Sequence, residues 1–355
     1  MILRKSRRGR FVYTILRMLK KPTSSPLSRF HCPMSLLGRV AAVALTLTAT
    51  LPVIAQEIGE TKVLKWKDGK QAVFLLAFDD ACPTHLKNVI PELEKRGMVG
   101  NFYVNPGKGT YPPKKAEWEK LAKGPVVVLA NHTFTHGGAN DAAQLDGELQ
   151  KCNDALKEAN PERKWPRLIA FGKPGGVPWK VTKEELDEAL KKHHLVDRPP
   201  FWGPPIHQKS AAECVATIDK ALEKGDMGHL DFHGVGGDWL TTPLDWFTAI
   251  MDKLDAEKER IWVTDVVSYH QYKTQRDGAE VKVLQTVPKG IRLTLNTNAD
   301  PAFYDHPLTL ETKVPADWKE CTVKQGGSET TVPITAGVVR YSALPGTEEI
   351  RLLAK

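Results

Sequence analysis

Three groups of side chains in this sequence have the types and spacing that hydrolytic chemistry needs. Asp79 and Asp80 directly follow a long apolar run, where adjacent carboxylates repel each other unless a cation or hydrogen bonds compensate. His132 and His136 follow a second apolar run, and their i, i+4 spacing predicts two imidazoles on one face of a helical turn. His233 follows a third run, and an imidazole there can donate a proton near neutral pH.

Each group alone has a plainer explanation, because an Asp pair can cap the following helix and HxxxH pairs are common on protein surfaces. The combination is more specific, since residues that follow parallel strands lie at the same edge of a sheet. Two His and one carboxylate with open positions are typical of a hydrolytic metal site, which lowers the pKa of bound water. The sequence therefore predicts one divalent ion. Zinc fits this ligand set best, and cobalt, nickel or manganese can use the same ligands.

Strand and helix patterns alternate from residue 72 to about residue 275. Short apolar runs predict strands at 72–78, 99–104, 126–130, 168–171, 228–232 and 261–264. Amphipathic spacing predicts helices at 84–96, 114–123, 141–159, 182–192, 210–224 and 244–257. Repeated β/α units predict a parallel sheet, and the pattern alone leaves open whether that sheet is doubly wound or closed into a barrel.

The pattern changes beyond residue 278. Short runs rich in Val, Thr and Leu are separated by turn sequences such as Gly326-Gly327. These runs lie at 281–284, 291–295, 308–312, 321–324, 338–342 and 349–353. Short strands at this spacing predict a small all-β sandwich domain at 279–355, for which we favour a stabilising or linking role over sugar binding.

Residues 1–55 are predicted to be a leader that contains a signal peptide. The first 56 residues hold ten Lys or Arg and no acidic residue. The whole chain has a net charge of +8, whereas the part from Glu57 onward has 40 basic and 42 acidic residues. Nucleic-acid binding therefore loses its main support. The apolar stretch 40–51, with small residues before Gln56, predicts cleavage after Ala55. The expected product is secreted or periplasmic, with no stable membrane insertion after processing.

The long basic stretch ahead of this segment leaves alternatives open. Either translation starts at Met34, which we favour, or Ser6-Arg7-Arg8 belongs to a weak twin-arginine signal. An uncleaved membrane anchor is the third alternative.

The cysteines predict neither a structural zinc site nor a defined disulfide. Cys32 leaves with the leader, and the other four have no CxxC or zinc-finger spacing. An exported protein permits disulfides, but a mature chain of this size does not need them, so no pairing is predicted.

The segments that carry this chemistry occur in the order and spacing of a known family. Four of them resemble the motifs of the polysaccharide deacetylases, carbohydrate esterase family 4: Phe78-Asp79-Asp80, His132-Thr133-Phe134-Thr135-His136, Pro174-Gly175 and Leu230-Asp231-Phe232-His233. The resemblance covers about residues 70–275. It implies an α/β fold, with a distorted (β/α) barrel at 56–275 that precedes the sandwich. Within the family, the chain resembles the subgroup with a C-terminal β domain.

The resemblance also implies a role for each motif residue. Asp79 would be the general base, His233 the general acid, and Gly175 the donor of a backbone N–H to the oxyanion. The implied metal ligands are Asp80, His132 and His136.

The sequence departs from the family pattern at two motif positions. The residue after the two Asp is usually Gly, and here it is Ala81. An Arg that orients the base usually precedes the motif Pro, and here Lys173 stands in its place. Either Lys173 takes over that role or the role is absent.

A further family motif, which contains an Asp and a Trp, has no clear counterpart. Asp197 is our candidate for supporting His233, and Asp231 shares a strand face with His233 as a second supporting residue. Trp202 and Trp239 are candidates for apolar walls of the substrate site, with burial in the core as the alternative for both.

These observations predict a metal-dependent carbohydrate deacetylase. It would hydrolyse N- or O-acetyl groups of an acetylated oligo- or polysaccharide, with a water on the metal as nucleophile. The alternative is a catalytically silent glycan-binding protein on the same scaffold. The missing Arg and Gly favour that alternative, whereas intact Asp79 and His233 oppose it, because binding alone needs neither a base nor an acid.

Overall fold

The computed structural model describes residues 57–346 and 348–355, which lie within one compact unit. The predicted leader, including Cys32 and the signal-peptide segment, lies outside the described residues. Among the described helices, none is both long and apolar enough to span a membrane. Four cysteines of the described ranges are buried free thiols: Cys82, Cys152, Cys214 and Cys321.

Strands and helices alternate along the described chain up to residue 277. The strands are β1 (Thr61–Val63), β2 (Ala72–Asp79), β3 (Gly100–Val104), β4 (Val127–Asn131), β5 (Ile169–Phe171), β6 (Leu195–Asp197), β7 (Met227–Phe232) and β8 (Ile261–Thr264). The helices are α1 (Ile90–Arg96), α2 (Lys115–Ala122), α3 (Ala142–Ala159), α4 (Lys183–Lys192), α5 (Ala211–Lys224), α6 (Leu244–Ala256) and α7 (Val266–Asp277). A π-helical turn, His85–Val89, leads into α1.

A parallel sheet forms the centre of this part of the chain. Its strand order is β6-β5-β4-β3-β2-β7, and β8 pairs with the first half of β2. All eight residues of β2 are buried, as a continuous apolar run predicts for a strand covered on both faces. The predicted β/α elements are present to within one residue at each end, whereas β6 and α7 were not predicted.

Local sequence signals explain where several helices begin and end. The side chains of Asp141, Thr182 and Ser210 accept backbone N–H groups in the first turns of α3, α4 and α5. Gly97 and Gly225 end α1 and α5 in the left-handed conformation, which costs glycine little.

The two edge strands of the sheet, β6 and β7, are connected by residues 198–203, which we call the bridging segment. Trp202 donates its backbone N–H to Asp231 Oδ2 at 2.8 Å, and Trp202 O accepts the Asp231 N–H at 3.1 Å. At the other edge, the backbone N–H of Arg198 donates to Phe171 O at 2.9 Å. The sheet with its bridging segment is the predicted distorted (β/α) barrel, closed here by an irregular segment instead of a strand pair.

The two faces of the parallel sheet have separate cores, because side chains alternate along each strand. From β2, Phe74 and Phe78 pack with the helices, where Phe78 stacks against Phe102 and Phe232 at ring-centroid distances of 4.9 and 5.2 Å. Val73 and Leu75 point to the other face and belong to a core that α7 and the C-terminal strands share.

The C-terminal strands form the predicted all-β sandwich. They are β9 (Glu280–Val287), β10 (Gly290–Asn296), β11 (Leu308–Lys313), β12 (Glu320–Gln325), β13 (Ser328–Thr335), β14 (Val338–Ala343) and β15 (Ile350–Ala354). The order is β1-β11-β14-β13-β12-β15-β10-β9, with antiparallel neighbours. Strand β13 pairs with β12 through residues 328–333 and with β14 through 334–335, so it belongs to both layers. The predicted start of the sandwich at residue 279 leaves out β1. This strand precedes the barrel in sequence and pairs with β11 in the sandwich.

The close approach of the bridging segment to β7 predicts a specific sensitivity. A Cβ added at Gly203 would lie 1.6 Å from Asp231 O, which is backbone and cannot move aside. We expect Gly203→Ala to lower the free energy of unfolding by roughly 1–3 kcal/mol or more, because overpacking displaces the segment. Denaturant unfolding measures this.

The matched control is Gly147→Ala in α3, where no atom lies within 4 Å of the added Cβ. We expect this variant to be about 0.5–1 kcal/mol more stable, because Gly is unfavourable inside a helix. Equal stability of the two variants would contradict the described closure.

Candidate active site

The predicted catalytic residues lie at the carboxyl ends of three strands of the parallel sheet. Asp79 is the last residue of β2 and Asp80 follows it, His132 follows β4, and His233 follows β7. The carboxyl ends of parallel strands open to one side of the sheet. The fold therefore brings together side chains from three distant parts of the sequence.

Asp80, His132 and His136 form a compact cluster whose ligand atoms lie within 4.8 Å of one another. Asp80 Oδ1 lies 3.6 Å from His132 Nε2 and 3.5 Å from His136 Nε2. His132 is buried, whereas Asp80 and His136 are partly exposed to a groove. A three-ligand cluster with one open side is typical of a catalytic metal site.

The segment 132–136 is not the helical turn that the His spacing predicted. Thr133 and His136 have positive φ angles of 60° and 57°. Asn131 Oδ1 accepts the Thr133 N–H at 2.8 Å, and Asn105 Nδ2 donates to Thr133 O at 3.1 Å. The prediction was wrong because these side-chain hydrogen bonds replace helical ones. The imidazoles converge through an irregular turn instead.

The residues of the cluster fit a divalent ion. His132 Nδ1 lies 2.6 Å from Gly172 O, so it carries the proton and leaves the Nε2 lone pair facing Asp80. Burial lowers the pKa of His132, which favours the neutral imidazole that metals bind. Asp80 Oδ1 is buried without a hydrogen-bond partner among the described residues. A cation between these atoms would satisfy that oxygen.

Asp79 is held by an arginine that the sequence analysis did not identify. Arg198 Nη1 and Nη2 donate to Asp79 Oδ1 and Oδ2, each at 2.7 Å, and Nη1 also donates to Asp231 Oδ1 at 3.0 Å. All three side chains are buried, and the guanidinium lies over the Tyr103 ring at 4.3 Å. Arg198 is therefore a bidentate partner of Asp79 and a bridge to Asp231.

This pairing gives the two carboxylates different proton affinities. Burial would raise the pKa of Asp79, but the charge and hydrogen bonds of Arg198, with the nearby His132, hold it well below its usual range. Burial raises the pKa of Asp231 to about 7, against the effect of Arg198. Asp79 therefore stays ionised at neutral pH and can accept a proton.

Lys173 does not occupy the position of the family's base-orienting arginine. Its Nζ lies 4.7 Å from the centre of the Trp179 ring. Arg198, which directly follows β6, makes that contact with Asp79 instead. The available signal was the β/α pattern itself, because a charged residue directly after a strand lies at the same edge as the other catalytic groups. The three-residue β6 was too short to be noticed.

Asp197 does not contact His233 in the described part of the chain. It is exposed at the end of β6, in a groove with His194 and Tyr304. The described contacts therefore give no support to Asp197 as the partner of His233, and that role stays a prediction.

His233 lies beside the metal cluster, with its Nε2 3.7 Å from Asp80 Oδ2. Its ring lies 5.1 Å from Phe201 of the bridging segment, between ring centroids. Asp231, two residues earlier, contacts Arg198 and the backbone of Trp202. Asp231 therefore supports the base and the bridging segment beside His233, without a direct contact to His233 in the described structure.

A groove of about 530 Å³ opens above the cluster, lined by Asp80, His136, Lys108 and Trp239 among others. Trp239 is 64% exposed and lies 6.4 Å from the His233 ring, and Trp202 is 45% exposed. Both side chains are therefore available at the surface, and the alternative that they are core residues is wrong. Gly175 lies in the turn after β5 with open space around it, at the same edge of the sheet.

The Ala that replaces the family's Gly occupies a left-handed backbone. Asp80 and Ala81 have φ angles of 67° and 49°. Such a conformation costs an L-residue roughly 1–2 kcal/mol, which is why Gly suits this position. Ala81 accommodates it as a buried residue.

Residues 67–196 match a family model described as polysaccharide deacetylase. This stretch contains Asp79, Asp80, His132 and His136. This part of the chain is therefore similar to the polysaccharide deacetylase family.

A curated relative is a gellan lyase from a Bacillus species, 28% identical over 316 residues. The match covers 77% of this chain and 12% of that protein, so the chain spans about an eighth of the relative's length. Similar solved structures include a putative polysaccharide deacetylase from Mycobacterium smegmatis (14% identity, 62% of this chain, 96% of that chain, TM-score 0.45). A family 4 carbohydrate esterase from Streptomyces lividans in complex with acetate has 15% identity over 56% of this chain and 94% of that chain, with a TM-score of 0.42.

The geometry separates a metal ligand from a neighbouring base. We expect Asp80→Asn to weaken divalent-metal affinity by at least about tenfold, because a ligand is lost. Asp79→Asn is the matched control and should leave metal content nearly unchanged, because Asp79 faces Arg198. Elemental analysis after dialysis against zinc measures both. Loss of metal in Asp79→Asn with retention in Asp80→Asn would reverse the two assignments.

Proposed function

We propose that this protein is a metal-dependent hydrolase that removes acetyl groups from an acetylated carbohydrate. The observation that carries the proposal is the meeting of three groups at one edge of the sheet. These groups are the two-His, one-Asp cluster, the carboxylate of Asp79 paired with Arg198, and the imidazole of His233. The match of residues 67–196 to the polysaccharide deacetylase family model supports the same reaction.

Each side chain has a distinct task in the proposed reaction. A divalent ion held by Asp80, His132 and His136 would polarise the acetyl carbonyl and acidify water. Zinc fits this ligand set, and cobalt, nickel or manganese are the alternatives. Asp79 accepts the proton of the attacking water, and Arg198 keeps its two oxygens in a fixed orientation.

The leaving group and the oxyanion use the remaining residues. His233 donates a proton to the departing sugar oxygen or nitrogen, and its position beside Asp80 is suited to this. We assign the backbone N–H of Gly175 to the oxyanion of the tetrahedral intermediate.

The substrate is proposed to be an oligo- or polysaccharide. The exposed ring of Trp239 in the groove can pack against a sugar face, and the exposed Trp202 is a second candidate. The similarity to a gellan lyase points to a carbohydrate as well. The proposal includes export to the cell exterior or periplasm, for which the apolar stretch 40–51 is the support.

Arg198 removes one argument for the competing function, a catalytically silent glycan-binding protein. That alternative rested on the missing base-orienting arginine, and Arg198 makes the corresponding contact from β6. A site that only binds sugar needs neither an oriented carboxylate nor an adjacent imidazole.

Acetate release tests the proposal directly. Metal-supplemented protein should release acetate from at least one member of a panel of N-acetylated and O-acetylated oligosaccharides, and a chelator should abolish the release. Asp79→Asn, which keeps the metal ligands, is the inactive control. Binding of these glycans without acetate release by the metal-loaded protein would favour the silent glycan-binding protein.

The leaving group tests the role of His233. A sugar alkoxide or amine needs protonation as the bond breaks, so a positioned acid contributes roughly 10²–10⁴ in rate, whereas an aryl acetate leaves as a weakly basic phenolate. His233→Ala should therefore lose about that factor in kcat on an acetylated glycan and far less on an aryl acetate. Asp79→Asn should reduce both rates alike. Equal losses for His233→Ala on the two substrates would exclude it as the acid.

A further inference from the structure

A second polar cavity lies away from the metal cluster, where the parallel sheet meets α7 and the loop before β11. Its volume is about 310 Å³. Val128, at the start of β4, and Leu168, just before β5, line it, whereas the catalytic residues follow the opposite ends of the strands. We call it the basic cavity, because its lining includes three basic side chains: Arg163, Lys164 and Arg167.

Two of these three cations have no carboxylate partner among the residues that the structure describes. Lys164 pairs with Asp305, with Nζ 2.8 Å from Oδ2. Arg167 Nε donates to Leu168 O at 3.1 Å, and both terminal nitrogens of its guanidinium make no described hydrogen bond. Neither Arg163 nor Arg167 forms an ion pair with a carboxylate within the described ranges, although Arg167 is largely buried beside Arg163.

The acidic residues of the basic cavity are already engaged by other donors. Asp265 accepts two backbone N–H groups at the start of α7, each at 3.0 Å, and the Ser268 hydroxyl at 2.5 Å. Asp305 accepts Gln271 Nε2 at 3.0 Å in addition to Lys164. Both guanidinium groups line the cavity, and their terminal nitrogens donate no described hydrogen bond to these carboxylates.

Neighbouring, partly buried cations of this kind are costly unless an anion compensates. The cavity has three cationic side chains against two anionic ones, an excess of one positive charge. Burial, with the nearby charge of Arg163, lowers the pKa of Arg167, which reflects the same unfavourable environment. The guanidinium fork matches the oxygens of carboxylate, phosphate and sulfate.

We propose that the basic cavity binds a small oxyanion, with Arg163 and Arg167 as its charged donors. Its volume equals about ten water molecules at about 30 Å³ each, which admits one oxyanion with a few waters but no polymer. The ligand is an inorganic oxyanion or the carboxylate of a single sugar acid. Because Phe303 and Asp305 also line the cavity, the bound ion would connect the barrel to the loop between β10 and β11 of the sandwich.

Isothermal titration of the full chain with phosphate, sulfate and glucuronate, in separate arms, tests this proposal. We expect saturable 1:1 binding of at least one anion. Arg167→Gln and Arg163→Gln should each weaken it by roughly tenfold or more, because a charge-assisted hydrogen bond is lost. The sulfate and phosphate arms identify an inorganic ligand, and the glucuronate arm identifies a sugar acid.

Arg260→Gln is the control for a general loss of positive charge, because Arg260 pairs at the surface with Gln71 and Glu257. This variant should bind the anion as the parent protein does. Arg163→Gln guards against misfolding, because the side chain of Arg163 makes no described hydrogen bond, whereas that of Arg167 donates to Leu168 O. Absence of binding in every arm, or binding that both cavity variants retain, would overturn the proposal. The readout is independent of acetate release, so failure of the proposed deacetylase function would leave this result interpretable.

Discussion

The buried pairing of Arg198 with Asp79 and Asp231 is the constraint on which both the closure of the barrel and the proposed chemistry depend. The register of β2 with β7 places Ala77 opposite Asp231, so Asp79 and Asp231 project from the same face of neighbouring strands. Two carboxylates so placed in a buried site would be costly. The guanidinium compensates both, and because it follows β6, the pairing also draws the other edge of the sheet towards β7.

The sandwich stabilises this irregularly closed barrel. In a regular barrel, the inner face of the sheet would be filled by its own side chains, whereas here α7 and the sandwich strands supply a shared core. Asn101 connects the two parts, because its Nδ2 donates to Leu76 O and its Oδ1 accepts the Val266 N–H, both at 3.0 Å. The shared core is a physical basis for the stabilising role expected of the C-terminal strands, and it keeps the strand ends that carry the site in place.

Local patterns predicted the parts of the fold that local energetics determine. The apolar run of β2 and the Thr182 capping box at α4 mark their elements without help from the rest of the chain. Strand β6 escaped prediction because three residues show no periodicity, and β1 because its partner β11 lies about 250 residues away in sequence. Strand β13 was missed because its sequence is mostly polar and contains Pro333.

The candidate site shows the same division. Residue types and motif order were sufficient to single out Asp80, His132 and His136, which the fold brings together. The turn that aims the two imidazoles depends on Asn105 and Asn131, and its shape could not be read from the His spacing. Arg198 was missed because the short β6 before it was not recognised and because its partner Asp79 lies 119 residues away in sequence.

The most direct test of this account is the pH dependence of kcat/KM for Arg198→Lys in acetate release by the metal-loaded protein. Lys retains the charge but cannot make the bidentate pair, so Asp79 loses a charge-assisted hydrogen bond worth about 1.5–3 kcal/mol. We expect kcat/KM to fall by roughly 10–100-fold in a variant that remains folded. The acid limb of its profile should move to higher pH, because the pairing is what keeps the pKa of Asp79 low. An unchanged profile with activity near that of the parent would contradict the account.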